Sequence, residues 1–375
     1  GQVLLTGATG FLGIHVLREL IRDPGAGKIF CLMRSGRQKQ FHERLKNHLF
    51  YYFEDSYADL FGDRIIPLEG DITEPASLTR LKDAGIDTVI NCAANVTHFA
   101  KDDSIFKINT AGVDNLIDFC LETGARLIQI STASIAGFSV DGKPLPGEKL
   151  TEQGLYLGQN LENQYAYSKF LAERNLLAAS ASRGLDAKIM RVGNLMARNS
   201  DGEFQMNAST NSFLGRLRAY SVVGSFPYSA YLAPARMAPI DSTAEAVLLL
   251  AKTPAACRVF QPFNDHSIFL GDIVTIMREE GIPIDFLEDA AYEKALQDSL
   301  IQAGRAEYLT SLVAYQGMAG GKVLAPVAVD NHYTSQVLLR MNWRWPVTDS
   351  DYLRKFLRDL ISLGFFEKPH LLKSR

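Results

Sequence analysis

"QVLLTGATGFLGIHVLRELIRD" occupies residues 2–23. Its first five residues form a short apolar run of β-compatible type, and from Phe11 onward Phe11, Val16, Leu17, Leu20 and Ile21 recur at helical spacing. Gly7, Gly10 and Gly13 therefore fall in a turn from strand to helix. There Gly7 permits the tight turn, Gly10 lets the backbone approach a pyrophosphate, and Gly13 lets helix and strand pack closely. The N–H groups at the helix start make an anion site, and Thr9, Phe11 and Leu12 belong to the same predicted cofactor-binding turn. Glycines alone mark only a tight turn; the order strand, glycines, helix points to a dinucleotide.

Dinucleotide folds read the ribose at the end of the second strand, where an acid selects NAD and a basic residue accepts the extra phosphate of NADP. The second strand here is "KIFCLM" (28–33), and the residue after it is Arg34, 21 positions beyond Gly13. Arg37, Lys39 and Arg44 follow, with Arg44 at the start of a helix that turns back toward the same place. A guanidinium makes fork-shaped, charge-assisted bonds to phosphate, so Arg34 and Arg44 predict NADPH rather than NADH.

The alternation then continues as in a doubly wound parallel sheet. "RIIPLEGDIT" (64–73) reads as a third strand ending at Asp71 and Ile72, beside the adenine. "DTVINCAAN" (87–95) reads as a fourth, closing on Ala93, Ala94 and Asn95, where small residues let backbone lie against the cofactor. His98 lacks any partner at metal-ligand spacing and is read as a loop residue; no metal is expected. The helix over 108–124 contributes Asn109 as a helper that orients an active-site lysine, and "RLIQIST" (126–132) is the fifth strand.

That strand runs into "STASIAG" (131–137), and "ENQYAYSKFLAERNLLAAS" (162–180) follows. Tyr165 and Lys169 are four apart, so a helix sets them on one face. A free phenol has a pKa of about 10, and a lysine cation nearby is expected to lower it. A hydroxyl from Thr132 at the strand end would hold a carbonyl oxygen beside the phenol. Tyr167 has Leu171, not a lysine, four residues on. Thr132, Tyr165 and Lys169 thus predict a proton donor at an oxygen that becomes negative as hydride arrives.

In this order, "TGATGFLG", "STAS" and "YAYSK" resemble an extended short-chain dehydrogenase/reductase. "GDIT", "VINCAANVTHF", "NQYAYSKFLAE" and especially "RVGNLMARNSDGEFQMNASTNSF" (191–213) are similar, more narrowly, to the terminal thioester reductase domains of nonribosomal peptide synthetases and to those of carboxylic acid reductases. The resemblance covers about residues 2–265. It implies catalytic Thr132, Tyr165 and Lys169, an NADP phosphate held by Arg34 and Arg44, and reductive release of an acyl or peptidyl thioester from a phosphopantetheine-bearing carrier domain. Many extended reductases have proline after the sixth-strand arginine; Val192, assigned here to the cofactor site, matches the Val-Gly-Asn of the thioester reductases. Fatty acyl-CoA reductases share the first half of the pattern and are the alternative, followed by an extended reductase acting on a free nucleotide sugar. A non-catalytic NADP(H)-sensing module would not need the three catalytic residues.

The remaining features fit that frame. A chain of 375 residues, 47% apolar and 22% charged, has room for two domains, and a net charge of -3 gives no electrostatic case for nucleic acid or an anionic membrane. The longest apolar runs resemble "AVLLLA" (246–251), far short of a membrane span. Four cysteines without paired spacing suggest a reduced, cytoplasmic protein. The first residue lies one position before an apolar strand, which suggests a chain excised from something longer, with the carrier domain upstream. The expected division is an NADP(H)-binding domain over 1–200, with 237–265 returning to it, and a smaller, mainly helical substrate domain from 201–236 and 266–375 that caps the cleft. Helical periodicity is read over 285–316 and 350–366, and Trp343 and Trp345 are read as core. No Walker-type loop is present, so the acid must arrive already activated.

Overall fold

The structure is a computed structural model that describes the chain except residues 37–39, 95, 97–102, 140–148, 303, 311, 314–325 and 367–375. The chain divides into two compact units: Gly1–Leu195, Ile240–Phe263 and Ala325–Arg344 form one, and Met196–Pro239, Asn264–Leu324 and Trp345–Arg375 form the other.

The first unit contains β1 (Gln2–Thr6), α1 (Phe11–Arg22), β2 (Ile29–Met33), α2 (Phe41–Phe53), β3 (Ile65–Glu69), β4 (Ile86–Asn91), α3 (Gly112–Thr123), β5 (Arg126–Thr132), α4 (Gln164–Arg183), β6 (Ala187–Val192), α5 (Ile240–Ala251) and β7 (Val259–Phe260). The strands form one sheet in the order β7-β6-β5-β4-β1-β2-β3, with every pairing parallel. Such a sheet is covered on both faces, which explains why β1, β5 and β6 are buried almost throughout. On one face Leu4, Val89, Leu127 and Ile189 of the strands pack with Leu116 and Ile117 of α3 and Leu176 of α4 in a single apolar cluster. Strand order reverses between β1 and β4, and ligands of open α/β sheets bind at the carboxyl ends of strands flanking that reversal.

Two strands end earlier than the sequence suggests. β3 stops at Glu69, because the Asp71 carboxylate accepts bonds from both the backbone N–H and the hydroxyl of Thr73, each at 2.9 Å, and turns the chain. β4 stops at Asn91, leaving Ala93 and Ala94 beyond it. The unit boundary also differs from the expected one, since 325–344 groups with the first unit. Gln261 explains this: its Nε2 donates to Leu150 O at 3.0 Å and Asp330 O at 2.6 Å, and its backbone N–H donates to the Thr334 hydroxyl. Thr334 in turn donates to Glu152 at 2.7 Å, and Trp343 Nε1 to Glu245 at 3.0 Å.

In the second unit, helices Ser212–Val223, Leu270–Glu279, Asp289–Leu300 and Ser350–Ser362 accompany two short strand pairs. Ser225–Pro227 pairs in parallel with Asp285–Leu287, a segment whose periodicity suggests helix and which the pairing holds extended. Phe226 and Phe356 are fully buried and Trp345 is nearly so. Among the described residues no helix is long and apolar enough to cross a membrane, and no group of His, Cys, Asp and Glu is arranged to hold a metal ion.

Candidate active site

The glycine turn is built as its sequence requires. Gly7 has φ +71°, and a Cβ there would lie 2.6 Å from the backbone of Cys92 and Ala93, so both conformation and space demand glycine. A Cβ on Gly13 would lie 1.9 Å from Gly7 O, so the helix can approach the strand only without a side chain. Gly10 is exposed at the N-cap of α1, where no side chain caps the helix and no acid stands in the first turn. The positive end of the helix dipole is thus left to a ligand, and the cradle fits a pyrophosphate. Thr9 is half-buried in this turn; Phe11 stands edge-on to His15, with ring centroids 5.3 Å apart, and Leu12 points into the core.

Arg34 is exposed immediately after β2, and Arg44 lies in the first turn of α2. The fold brings them together, with Arg44 Nη2 donating to Arg34 O at 3.0 Å. Arg37, Lys39, Asn95 and His98 lie outside the described residues. Asp71 is half-buried beyond β3, whereas the Ile72 side chain is packed in the core and its carbonyl accepts from Asn115 Nδ2 at 2.8 Å. Ala93 is half-buried and Ala94 exposed beside Gly7 at the end of β4.

The chemical residues converge on the carboxyl end of β5. Thr132 ends that strand in register with Val192 of β6, and its hydroxyl accepts Ser134 N–H at 3.1 Å. Tyr165, in the first turn of α4, is hydrogen-bonded to Thr132. Lys169, one turn on, is 2% exposed and donates to Ile130 O at 3.0 Å. Asn109 sits in a π-helical turn before α3, and its Nδ2 donates to Ser168 Oγ at 3.1 Å. The Ser168 hydroxyl donates to Tyr165 O at 2.7 Å, so the recorded bond of Asn109 reaches the residue before Lys169.

Electrostatics differ from expectation at one point. Desolvation pushes the Tyr165 phenol up to about 12, opposed by its bond to Thr132, so the phenol is a held proton and not a ready phenolate. The same burial pulls Lys169 down to about 8, opposed by Cys92 and Glu173. Burial outweighs the attraction that the i, i+4 spacing suggested.

Sequence reading missed a buried row of polar side chains under the site. Asn91 Nδ2 donates to Gln129 Oε1 at 2.8 Å, and Gln129 Nε2 donates to Ile130 O at 2.8 Å, the carbonyl that also receives Lys169. Its only trace in the sequence is one amide in each apolar strand, Asn91 at the end of β4 ("VIN") and Gln129 within β5 ("LIQIS"). An open groove of about 740 Å³ in the second unit, bordered by Tyr228, Tyr231, Arg278 and Phe286, contains none of the site residues read from the sequence.

A seven-stranded parallel sheet in this order, opened by a glycine turn and carrying Thr132 at the end of β5 with Tyr165 and Lys169 on α4, is the fold of an extended short-chain dehydrogenase/reductase, which binds a nicotinamide cofactor. The NAD-binding family described as "Male sterility protein" matches residues 5–247, and the chain belongs to it. The solved thiolation-reductase di-domain from an archaeal non-ribosomal peptide synthetase is 38% identical, with a TM-score of 0.88 over 98% of this chain and 76% of that one. The isonitrile lipopeptide synthase of Streptomyces coeruleorubidus is 26% identical over 80% of this chain, and the carboxylic acid reductase of Mycobacterium tuberculosis is 31% identical over 53% of it. The chain spans only 20% and 18% of those two proteins' own lengths.

Proposed function

We propose that the chain is an NADPH-dependent reductase that releases an acyl or peptidyl group, as an aldehyde, from the phosphopantetheine thiol of a carrier protein in the cytoplasm. One observation carries this reading: a hydrogen-bonded Thr132–Tyr165 pair with Lys169 buried one turn away, in a chain 38% identical to a thiolation-reductase di-domain. Gly7, Thr9, Gly10, Phe11, Leu12 and Gly13 would hold the pyrophosphate, and Arg34 and Arg44 the 2′-phosphate. Asp71 and Ile72 would border the adenine. Ala93, Ala94, Asn109 and Val192 would line the nicotinamide side.

When bound, NADPH supplies the hydride that adds to the thioester carbon. Tyr165, whose phenol is protonated at neutral pH as any phenol is and whose burial disfavours the phenolate further, gives that proton to the carbonyl oxygen. Thr132 hydrogen-bonds the same oxygen as charge develops on it. Lys169, one turn on, would stabilise the phenolate left behind and would hold the ribose hydroxyls of the cofactor. Collapse of the hemithioacetal breaks the C–S bond and returns the hydroxyl proton to Tyr165, while the departing thiolate takes a proton from water. The sum is one thioester, one NADPH and one proton to one aldehyde, one thiol and NADP⁺. A free carboxylate resists the first step through its negative charge.

The test offers one acyl group as carrier thioester, CoA thioester and free acid, following NADPH absorbance and product together. The carrier form is expected to react fastest, because remote binding energy positions the carbonyl; CoA reacts more slowly and the acid not at all. Reduction of the acid, or preference for CoA over carrier, would overturn the proposal, the latter in favour of a fatty acyl-CoA reductase. NADPH consumed per thioester separates an aldehyde product (one) from an alcohol (two).

A further inference from the structure

Glu173 and Arg191 form an ion pair with no exposed side-chain surface on either partner. Arg191 Nη2 donates to Glu173 Oε2 at 2.8 Å, and its Nε donates to Oε2 at 3.0 Å and Oε1 at 3.2 Å. The pair ties three elements together. Glu173 lies on α4 one turn beyond Lys169, Arg191 lies on β6, and Ser131 of β5 donates its hydroxyl to Glu173 Oε1 at 2.5 Å. Ser131 stands between Ile130, whose carbonyl accepts from Lys169, and Thr132. The other guanidinium N–H groups are occupied by Thr151 O, Gly154 O and Gln261 Oε1 at 2.8–3.3 Å.

Two buried charges are a poor device for stability alone. Desolvation costs several kcal/mol per ion, and well-packed apolar residues in the same volume commonly serve a fold as well. What an apolar pair cannot supply is a fixed negative charge on the lysine side of α4. We infer that Glu173 is a positioning residue for Thr132, Tyr165 and Lys169: anchored by Arg191, its carboxylate fixes the strand end that carries Thr132 and supplies the charge that keeps Lys169 protonated in a dry site. The inference rests on the reading of those three residues as the proton-donating site.

Among the described residues, few groups face Lys169. Glu173 comes from its own helix, Cys92 from the end of β4, and the Ile130 carbonyl from β5, with Glu173 in turn paired to Arg191 of β6. Burial drives the ammonium toward neutrality, and the Cys92 thiol, itself pushed up to about 12 by burial, stays protonated at neutral pH. Among the described residues, Glu173 is therefore the negative charge that opposes loss of the proton.

The experiment uses the full chain with two variants. Glu173→Gln keeps the shape and an acceptor for Ser131 but removes the charge; because it strands Arg191 in the core, Glu173→Met/Arg191→Met is made beside it as a neutral pair that packs. In the cofactor-free proteins, NMR titration of lysine Cε signals, with Lys169 identified by its loss in Lys169→Met, is expected to show a midpoint lowered by about one unit in Glu173→Gln and by less in the double variant. The alkaline limb of kcat should move to lower pH in the same order, with KM for the acyl substrate unchanged. Folded variants with an unmoved Lys169 titration would overturn the inference and leave the pair purely structural. A lowered titration in a protein that reduces no thioester would instead overturn the reading of the reaction, and leave the effect of Glu173 on Lys169 supported.

Discussion

The Tyr165 phenol is hydrogen-bonded to the Thr132 hydroxyl, joining the first turn of α4 to the last residue of β5. A phenol keeps its proton at neutral pH and burial disfavours the phenolate further, so its role in the proposed reaction is that of an acid. Tyr165→Phe keeps the ring and removes the donor. NADPH affinity, followed by fluorescence titration, is expected to stay within a few-fold, while turnover falls roughly 10²–10⁴. A variant that kept near-full turnover would place the acid elsewhere.

Arg44 donates to the backbone of Arg34, so one guanidinium is held in place while the other lies exposed beside it. Arg34→Ala is expected to weaken NADPH by about ten- to a hundredfold, the effect of one charge-assisted contact of roughly 1.5–3 kcal/mol, and to leave NADH nearly untouched. Arg44→Ala should do so less, since part of that guanidinium serves Arg34 O. Equal Kd values for NADPH and NADH in the unaltered protein would refute the assignment.

Local chemistry was legible in the sequence, and long-range pairing was not. The glycine turn could be read because Gly7 and Gly13 answer to contacts within a dozen residues or at one strand end. The Tyr165–Lys169 spacing could be read because a helix fixes what lies four residues away. The end of β3 was placed too late because the side chain of Asp71 bonds to Thr73, a choice that apolar patterning does not record. Asp285–Leu287 reads as helix in isolation and becomes a strand only beside Ser225–Pro227. The Glu173–Arg191 pair joins residues on different elements, and in one dimension each looks like an ordinary charge.

Lys169 gives the cofactor-free protein a stability that depends on pH. Its folded value of about 8 lies below the ordinary 10.5, so between those values the unfolded chain holds a proton that the folded one has released. Stability contributed by this group therefore rises as pH moves through that window. Lys169→Met removes the effect, while Ile130 O keeps its bond from Gln129. The variant is expected to be the more stable protein at pH 7, by urea midpoint, and to lose ground to the unaltered one by pH 10. Lys188, also pulled down to about 8, is present in both proteins and cancels in the comparison. A difference that stays constant with pH would mean that Lys169 is not desolvated.

The polar row beneath the site sets a test of how the sheet is held at its functional end. Thr6, Asn91 and Gln129 are register neighbours on β1, β4 and β5, each at most 1% exposed. Every group in the row is used: Thr6 donates to Asn91 Oδ1, which also accepts Ala93 N–H at 3.2 Å, and the amides hand the chain of bonds on to Ile130 O. Asn91→Leu therefore strands the Thr6 hydroxyl proton and Gln129 Oε1, while Ala93 N–H keeps only its longer bond to Thr6 Oγ1 at 3.4 Å, at about 1–3 kcal/mol for each buried group left without a partner. Asn91→Leu/Gln129→Leu removes one of those stranded acceptors as well as its donor. In urea unfolding the double variant is expected to lose clearly less than the sum of the two single losses, by about 0.5–3 kcal/mol, as residues in one hydrogen-bond network do. Simple additivity would show that the three side chains act separately, and that Ile130 O holds Lys169 without help from the row.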